Sequence, residues 1–313
     1  MPHARAIVSG VCCATALCVG GLVGPPGAAL ALLALPLPAL VVGGVGGVAH
    51  AVTSALAASG VMGSVLGWPV GVAYLLLAGV PAVLGVLMLR RAWRLEPTLA
   101  AALGATGLGA LLLGVAMAPD LSAWQGAMAS GWRASFDGAL DMYRDLGMSA
   151  EQLAELESAR EALAETVMTF LPAVLVIFTG AVWLLNLRLS SRWAGWPQLQ
   201  QLSHWRSPDW MIWLLIASGF AMFGPARAMG VVAQNVFAIT LACYFAQGLA
   251  ITSYFLQRFG LPRGLRIAAY IVILFQQLAA GLVVALGVFD LWGDFRHLTA
   301  QPVDATVGSD SSD

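Results

Sequence analysis

The sequence predicts an all-α membrane protein, a bundle of eight or nine transmembrane helices. Three observations support this fold class. Of 313 residues, 59% are apolar and only 10% are charged, and the mean hydropathy is +0.83. A soluble protein of this length needs more charge to cover its surface. Charge-free stretches long enough to cross a bilayer recur along the chain, and arginines cluster between them.

The first part of the chain has no charged residue between Arg5 and Arg90. Three or four crossings fit this length, and four agree with the expectation that arginines at both ends face the cytoplasm. The predicted spans are Ala6–Val23, Ala28–Val45, Val48–Leu66 and Val70–Leu89. The N-terminal run has features of a signal peptide, but no soluble domain follows it, so a retained span is favoured. Pro36-Leu37-Pro38 is expected to break or kink the second span.

Five further charge-free stretches are long enough to cross a bilayer. They are predicted at Pro97–Pro119, Thr166–Leu187, Trp210–Ala226, Val231–Gln257 and Ile267–Val288. The chain thus divides into N-terminal spans (1–119), a hydrophilic segment (120–165), C-terminal spans (166–298) and a disordered tail (299–313). The distribution of arginine predicts that the N-terminus is cytoplasmic and that the 120–165 segment is extracytoplasmic.

The 120–165 segment is predicted to form two amphipathic helices. Leu121, Trp124, Met128, Trp132 and Phe136 recur every three or four residues, as expected for a helix in the membrane interface. Gly147 is expected to end this helix. Ser149 and Gln152 then form a capping box that starts a second, acidic helix.

Composition excludes several classes of function. The net charge of −1 leaves no basic surplus for binding nucleic acid. The four cysteines, Cys12, Cys13, Cys18 and Cys243, lie in predicted spans without a CxxC pair, so neither disulfides nor metal ligands are predicted. The sequence contains no HExxH or GxSxG motif and no phosphate-binding loop. It therefore predicts no enzyme, metal or cofactor, and any ATP hydrolysis would belong to a partner subunit.

Uncharged polar side chains form stripes on the last two predicted spans. On the eighth, Thr240, Tyr244, Gln247 and Tyr254 fall within an arc of about 80° at about 100° per residue. On the ninth, Tyr270 and Gln277 are seven residues apart and would share a face. These stripes either line a small-solute site inside the membrane or hydrogen-bond one helix to the next.

The segment from 207 to 296 carries two further polar motifs. Ser207-Pro208-Asp209-Trp210 is typical of a helix start, with Ser207 as N-cap and Pro208 as the first helical residue. At the other end, Asp290 and Asp294 are four residues apart, and Arg296 is close by. These three form either a proton or cation relay or a polar helix end with an internal ion pair.

The order and spacing of several motifs resemble one bacterial family. Pro36-Leu37-Pro38, Ser207 to Trp210, Gln247-Gly248 and the run from Gly287 to Arg296 look like the YybS-type membrane proteins, a domain of unknown function numbered 2232. The resemblance covers nearly the whole chain, implies a protein of the bacterial inner membrane and supplies no catalytic residues. It also implies a distant likeness to the substrate-binding (S) components of energy-coupling-factor transporters, although those are shorter.

Two functions are therefore expected. The first is a small-solute-binding transporter or transporter subunit, surrounded by the lipid bilayer and able to work with partner membrane or ATPase subunits. Its site would be lined by the two polar stripes. The second is a structural protein that docks a partner through the 120–165 segment.

Overall fold

The computed structural model describes residues 33–117, 120–199, 205–224, 227–293 and 295, and every regular element in these ranges is helical. The all-α fold class is therefore confirmed for the described part of the chain. The predicted span Ala6–Val23 and the predicted tail 299–313 lie outside the described residues. Two compact units, Met1–Gln200 and Gln201–Asp313, divide the chain.

The first unit contains eight α-helices among its described residues. They are α1 (Leu37–Gly46), α2 (Val48–Leu66), α3 (Trp68–Tyr74), α4 (Val80–Arg90), α5 (Leu95–Met117), α6 (Leu121–Asp145), α7 (Ala150–Ser158) and α8 (Arg160–Ala194). A π-helical turn, Leu75–Gly79, joins α3 to α4.

The predicted break at Pro36-Leu37-Pro38 is confirmed. Residues 33–34 are helical, 35–36 form a turn, and α1 begins at Leu37. Asn186, on α8, is 1% exposed, and its amide donates to the carbonyl oxygens of Leu33 and Val182, each at 2.7 Å. The Asn186 amide therefore gives a backbone carbonyl at the break a donor inside the bundle.

A second polar link joins α5 and α8 to the π-helical turn. The indole of Trp183 donates to the Thr106 hydroxyl at 3.0 Å, and this hydroxyl lies 3.3 Å from the Leu77 carbonyl oxygen. A π-helical turn disturbs the regular pairing of backbone groups. The Trp183 indole therefore links α8 to α5 through the Thr106 hydroxyl, which lies closer to the Ala102 carbonyl oxygen of its own helix, at 2.9 Å, than to that of Leu77.

The hydrophilic segment forms α6 and α7 as expected. Gly147 has a φ of 85° and ends α6, and Ser149 and Gln152 form the predicted capping box at the start of α7. Arg160, the first residue of α8, donates to Asp137 at 2.8 Å and stacks over the Phe136 ring. This arginine joins the start of the long helix α8 to α6.

The second unit consists of α9 (Met211–Ala221), α10 (Arg227–Arg258), α11 (Arg263–Phe275) and α12 (Gln277–Gly293) among its described residues. The predicted span Ile267–Val288 is not one straight helix. The structure bends by 100° between α11 and α12, and Gln276 alone, in an extended conformation, separates them.

Five helices in the described residues are long and apolar enough to cross a membrane. They are Val48–Leu66, Trp68–Arg90, Leu95–Met117, Arg160–Ala194 and Met229–Arg258. The bent pair α11–α12 would make a sixth, and α1 and α9 are shorter apolar helices. A multi-pass membrane protein is therefore confirmed, while eight or nine spans are not.

Candidate polar site

The candidate site lies in the second unit, where α9 and α12 pack against the long helix α10. Gly219 on α9 faces the Phe237 ring of α10, and a Cβ added at this glycine would lie 3.5 Å from the ring. On the other side, Gly248 of α10 and Gly287 of α12 face each other's helices. A Cβ at Gly248 would fall on the carbonyl oxygen of Val283, and one at Gly287 on that of Tyr244.

These two glycines bring the backbones of α10 and α12 into direct contact. The position of a Gly287 Cβ is only 3.1 Å from the backbone nitrogen of Gly248. Small residues allow such an approach between membrane helices, because there is no side chain to hold the backbones apart. The neighbouring side chains of Gln247 and Asp290 are thereby held next to each other.

Gln247 is the centre of the polar contacts. It is 1% exposed, and its amide nitrogen donates to Asp290 Oδ2 at 3.0 Å. Its amide oxygen accepts from the backbone N–H of Ser207, also at 3.0 Å. One side chain therefore links α10, α12 and the segment that leads into α9.

Asp290 is equally buried and closes the end of α12. It is 1% exposed, and its second carboxylate oxygen accepts from the backbone N–H of Phe295 at 3.1 Å. Arg206 donates to the carbonyl oxygen of Leu291 at 3.0 Å and pairs with Asp209 at 3.3 Å. The last carbonyls of a helix lack intrahelical partners, and the arginine supplies a donor to one of them.

Three buried polar atoms around this pair have no hydrogen-bond partner among the described residues. They are Arg206 Nε, Ser207 Oγ and Tyr244 OH. Ser207 is 4% exposed and Tyr244 is 1% exposed. Buried polar atoms in proteins are nearly always paired, so each of these calls for a specific partner.

The site lies near the middle of the apolar part of α10. Tyr244 is the central residue of the charge-free stretch Val231–Gln257, and Gln247 follows about 5 Å further along the axis at about 1.5 Å per residue.

The structure brings together some of the predicted site residues and separates others. Thr240, Tyr244 and Gln247 are all buried on α10, and Gln247 contacts Asp290. Thr240 donates to the carbonyl oxygen of Val236 in its own helix. Tyr254, also on α10, is half-buried.

Tyr270 and Gln277 do not share a helical face, because they lie on opposite sides of the bend between α11 and α12. Tyr270 is half-buried and Gln277 is exposed. The expectation that one continuous stripe on the ninth span faces α10 is therefore not met by these two residues.

Of the three residues of the predicted relay, the structure describes only Asp290. Asp294 and Arg296 lie outside the described residues. Cys243 is a free thiol, and the other three cysteines also fall outside the described ranges. Within those ranges, no group of three His, Cys, Asp or Glu side chains could hold a metal ion.

Two members of the site, Arg206 and Ser207, were not expected from the sequence. The motif at Ser207 predicts an N-cap, but α9 begins at Met211 and makes no side-chain cap. The serine instead contributes its backbone N–H to Gln247. The sequence around Ser207, directly before Trp210 and Trp213, does not indicate this long-range contact.

Comparison with known proteins supports the resemblance described above. The family model "Predicted membrane protein (DUF2232)" matches residues 12–291, a range that contains α1 to α11 and nearly all of α12. No curated protein and no solved structure matches the chain significantly. The likeness to energy-coupling-factor S components therefore stays a prediction. Because the match covers most of its length, the chain belongs to the DUF2232 family of predicted membrane proteins.

Proposed function

We propose that the chain is a small-solute-binding membrane transporter or transporter subunit, and that the polar cluster around Gln247 and Asp290 is its solute site. One observation supports this most directly. Arg206 Nε, Ser207 Oγ and Tyr244 OH are buried without partners among the described residues, beside a buried amide–carboxylate pair. Polar groups deep inside a membrane domain are costly unless something satisfies them, and they commonly mark binding sites and ion pathways.

The unpaired atoms indicate the chemistry of the solute. Arg206 Nε can only donate a hydrogen bond, whereas the Ser207 and Tyr244 hydroxyls can donate or accept. A small molecule with carbonyl or carboxyl oxygens matches this set. The short apolar helix α9 starts beside the cluster, and interrupted helices next to a polar site are typical of secondary transporters. A buried water could satisfy the same atoms, and the following experiment separates the two.

We expect Ser207→Ala and Tyr244→Phe each to abolish retention of a co-purifying solute while hardly changing stability. Each substitution removes a hydroxyl that has no hydrogen-bond partner among the described residues, so the free energy of unfolding should change by less than about 1 kcal/mol. The bound solute, in contrast, loses a hydrogen bond to the protein. Mass spectrometry of small molecules released from the detergent-purified protein gives the retention, and thermal unfolding gives the stability.

The matched control is Ser218→Ala on α9. This serine is also buried, but its hydroxyl donates to carbonyl oxygens of its own helix, at Leu214 and Leu215. It should leave solute retention unchanged. If no solute is retained by the wild-type protein, or if the same molecules remain bound to both hydroxyl-deficient variants, the solute site is contradicted and water occupies the cluster.

The proposal includes the topology. We infer eight or nine spans in a bacterial inner membrane, with the N-terminus in the cytoplasm and α6 and α7 outside. Support comes from the basic residues of the α10–α11 connection, Arg258 and Arg263, and from the acids of α7. Because the sequence has no phosphate-binding loop, energy from ATP would require a partner subunit.

This orientation predicts the accessibility of single cysteines in a variant that lacks the four native ones. Glu155→Cys on α7 should react with a membrane-impermeant maleimide in intact cells. Phe259→Cys, at the end of α10, replaces a side chain that is 72% exposed and should react only after permeabilisation. Labelling of Phe259→Cys but not Glu155→Cys in intact cells would reverse the orientation.

A further inference from the structure

Helix α11 leaves α12 at an unusual angle. The two helices are bent by 100°, and the break is the single residue Gln276. Sharp bends in helices are usually caused by proline or glycine, but neither is present between Ile267 and Ala280. The position of the bend relative to the bilayer therefore decides whether α11 continues across the membrane or lies along its surface.

The contacts between α10 and α12 place the bend at the polar end of α10. Val283 packs against Gly248 and Gly287 against Tyr244, so the two helices run antiparallel. Each step back from Gly287 along α12 therefore corresponds to one step forward from Tyr244 along α10. On this count, Gln277 lies level with Tyr254. Beyond that level, α10 continues for only four residues, Phe255 to Arg258, and the last two are Gln257 and Arg258.

The side chains at the bend also require water or headgroups. Gln276 and Gln277 are both exposed. Exposed amides in the hydrocarbon layer would lack hydrogen-bond partners, at a cost of several kcal/mol for each group. The bend therefore lies at the membrane–water boundary, and a helix that leaves α12 at about a right angle runs along this boundary.

The composition of α11 suits that position. Arg258, Arg263 and Arg266 precede or start the helix, and no acidic residue occurs between Arg258 and Asp290. The rest of α11 exposes a broad apolar surface, formed by Ile267, Ile271, Val272, Leu274 and Phe275. Basic residues beside an exposed apolar surface are typical of helices in the interface of anionic membranes.

We propose that α11 lies in the plane of the membrane surface and binds anionic phospholipid headgroups through its arginines. Its exposed apolar side chains enter the acyl layer, and Arg258 and Arg263 contact the lipid phosphates. Tyr270 then lies at headgroup level, where tyrosine is enriched. This role is independent of solute binding at Gln247 and Asp290.

The orientation is tested with spin labels on the full chain. Single cysteines are placed at each position from 264 to 275 in the variant without native cysteines. The protein is reconstituted in vesicles of phosphatidylcholine and phosphatidylglycerol, with phosphatidylglycerol at roughly a quarter of the lipid so that the surface is anionic. Depth is measured from the relative accessibility to oxygen and to a water-soluble nickel complex.

A helix in the membrane plane gives a depth that oscillates with a period of about 3.6 residues, with the exposed apolar positions deepest. A steady change of depth from 264 to 275 would show a broken span and overturn the proposal. Spin–spin broadening combined with loss of oxygen access would assign this face to a second copy of the chain, and would also overturn it.

The lipid contact is tested separately. A fluorophore at Phe259→Cys is quenched by brominated phosphatidylglycerol or brominated phosphatidylcholine in otherwise identical vesicles. Arg263→Gln should lower the preference for phosphatidylglycerol about fivefold, since a basic residue near an anionic surface contributes about 1 kcal/mol. The control Arg133→Gln, on α6, should leave the preference unchanged. Equal preferences in the wild type and Arg263→Gln would exclude headgroup binding.

Discussion

Gly287→Ala is expected to destabilise the second unit strongly. The added methyl group would fall on the carbonyl oxygen of Tyr244, and the backbone of α10 leaves no space for it. The helices α10 and α12 must then separate, which breaks the contact between Gln247 and Asp290. Overpacking of this kind costs about 1–3 kcal/mol, and the loss of a buried hydrogen bond adds to it. The free energy of unfolding in mixed micelles measures the effect.

The same helix offers a matched control. Gly281 is also on α12, and a Cβ at this position would meet no atom within 4 Å. Gly281→Ala should therefore be neutral, or stabilising by up to about 1 kcal/mol through the higher helix propensity of alanine. The two alanine variants differ only in position, so opposite signs would demonstrate the close approach. Equal effects of both variants would contradict it.

The helical class and most long helices were predictable because lipid imposes simple requirements on a sequence. A charge-free stretch of sufficient length must pair its backbone groups internally, which only a helix achieves within one segment. The predicted spans Val48–Leu66 and Val231–Gln257 thus correspond to α2 and to most of α10. The break at Pro36-Leu37-Pro38 was predictable for the same reason, since proline removes a donor.

The bend at Gln276 was not predictable from local sequence. Apolar residues continue on both sides of it, and neither proline nor glycine marks it. Periodicity assumes one straight helix, and this assumption assigned Tyr270 and Gln277 to the same face. The bend separates them, and no local pattern in the sequence marks it.

The site was predictable only where its polar residues interrupt an apolar helix. Thr240, Tyr244 and Gln247 meet that criterion, and all three are buried. Arg206 and Ser207 do not, since their surroundings suit a helix start equally well. Ser207 and Gln247 are 40 residues apart in the sequence. Their contact depends on the tertiary structure, which no rule of sequence spacing contains.

The hydrogen-bonded pair Gln247–Asp290 forms a frame that holds the candidate site together. Each residue also binds a backbone N–H, that of Ser207 for Gln247 and that of Phe295 for Asp290. The pair thus fixes the start of the α9 segment and the end of α12 at the same point. Any solute held by Ser207 and Tyr244 would depend on this frame.

Asp290→Leu and Gln247→Leu are therefore expected to destabilise the protein strongly as single variants. Each leaves the buried polar groups of its partner unpaired, at about 1–3 kcal/mol per group. The double variant should lose less than the sum of the two, because neither polar group of the pair then remains buried alone. We expect a coupling free energy of about 1–3 kcal/mol in a double-mutant cycle.

Combination of Asp290→Leu with Ser218→Ala, which shares no partner with it, should be additive. An additive result for Gln247 and Asp290 as well would mean that their hydrogen bond does not hold α10 and α12 together, and a solute site built on this frame would lose its support.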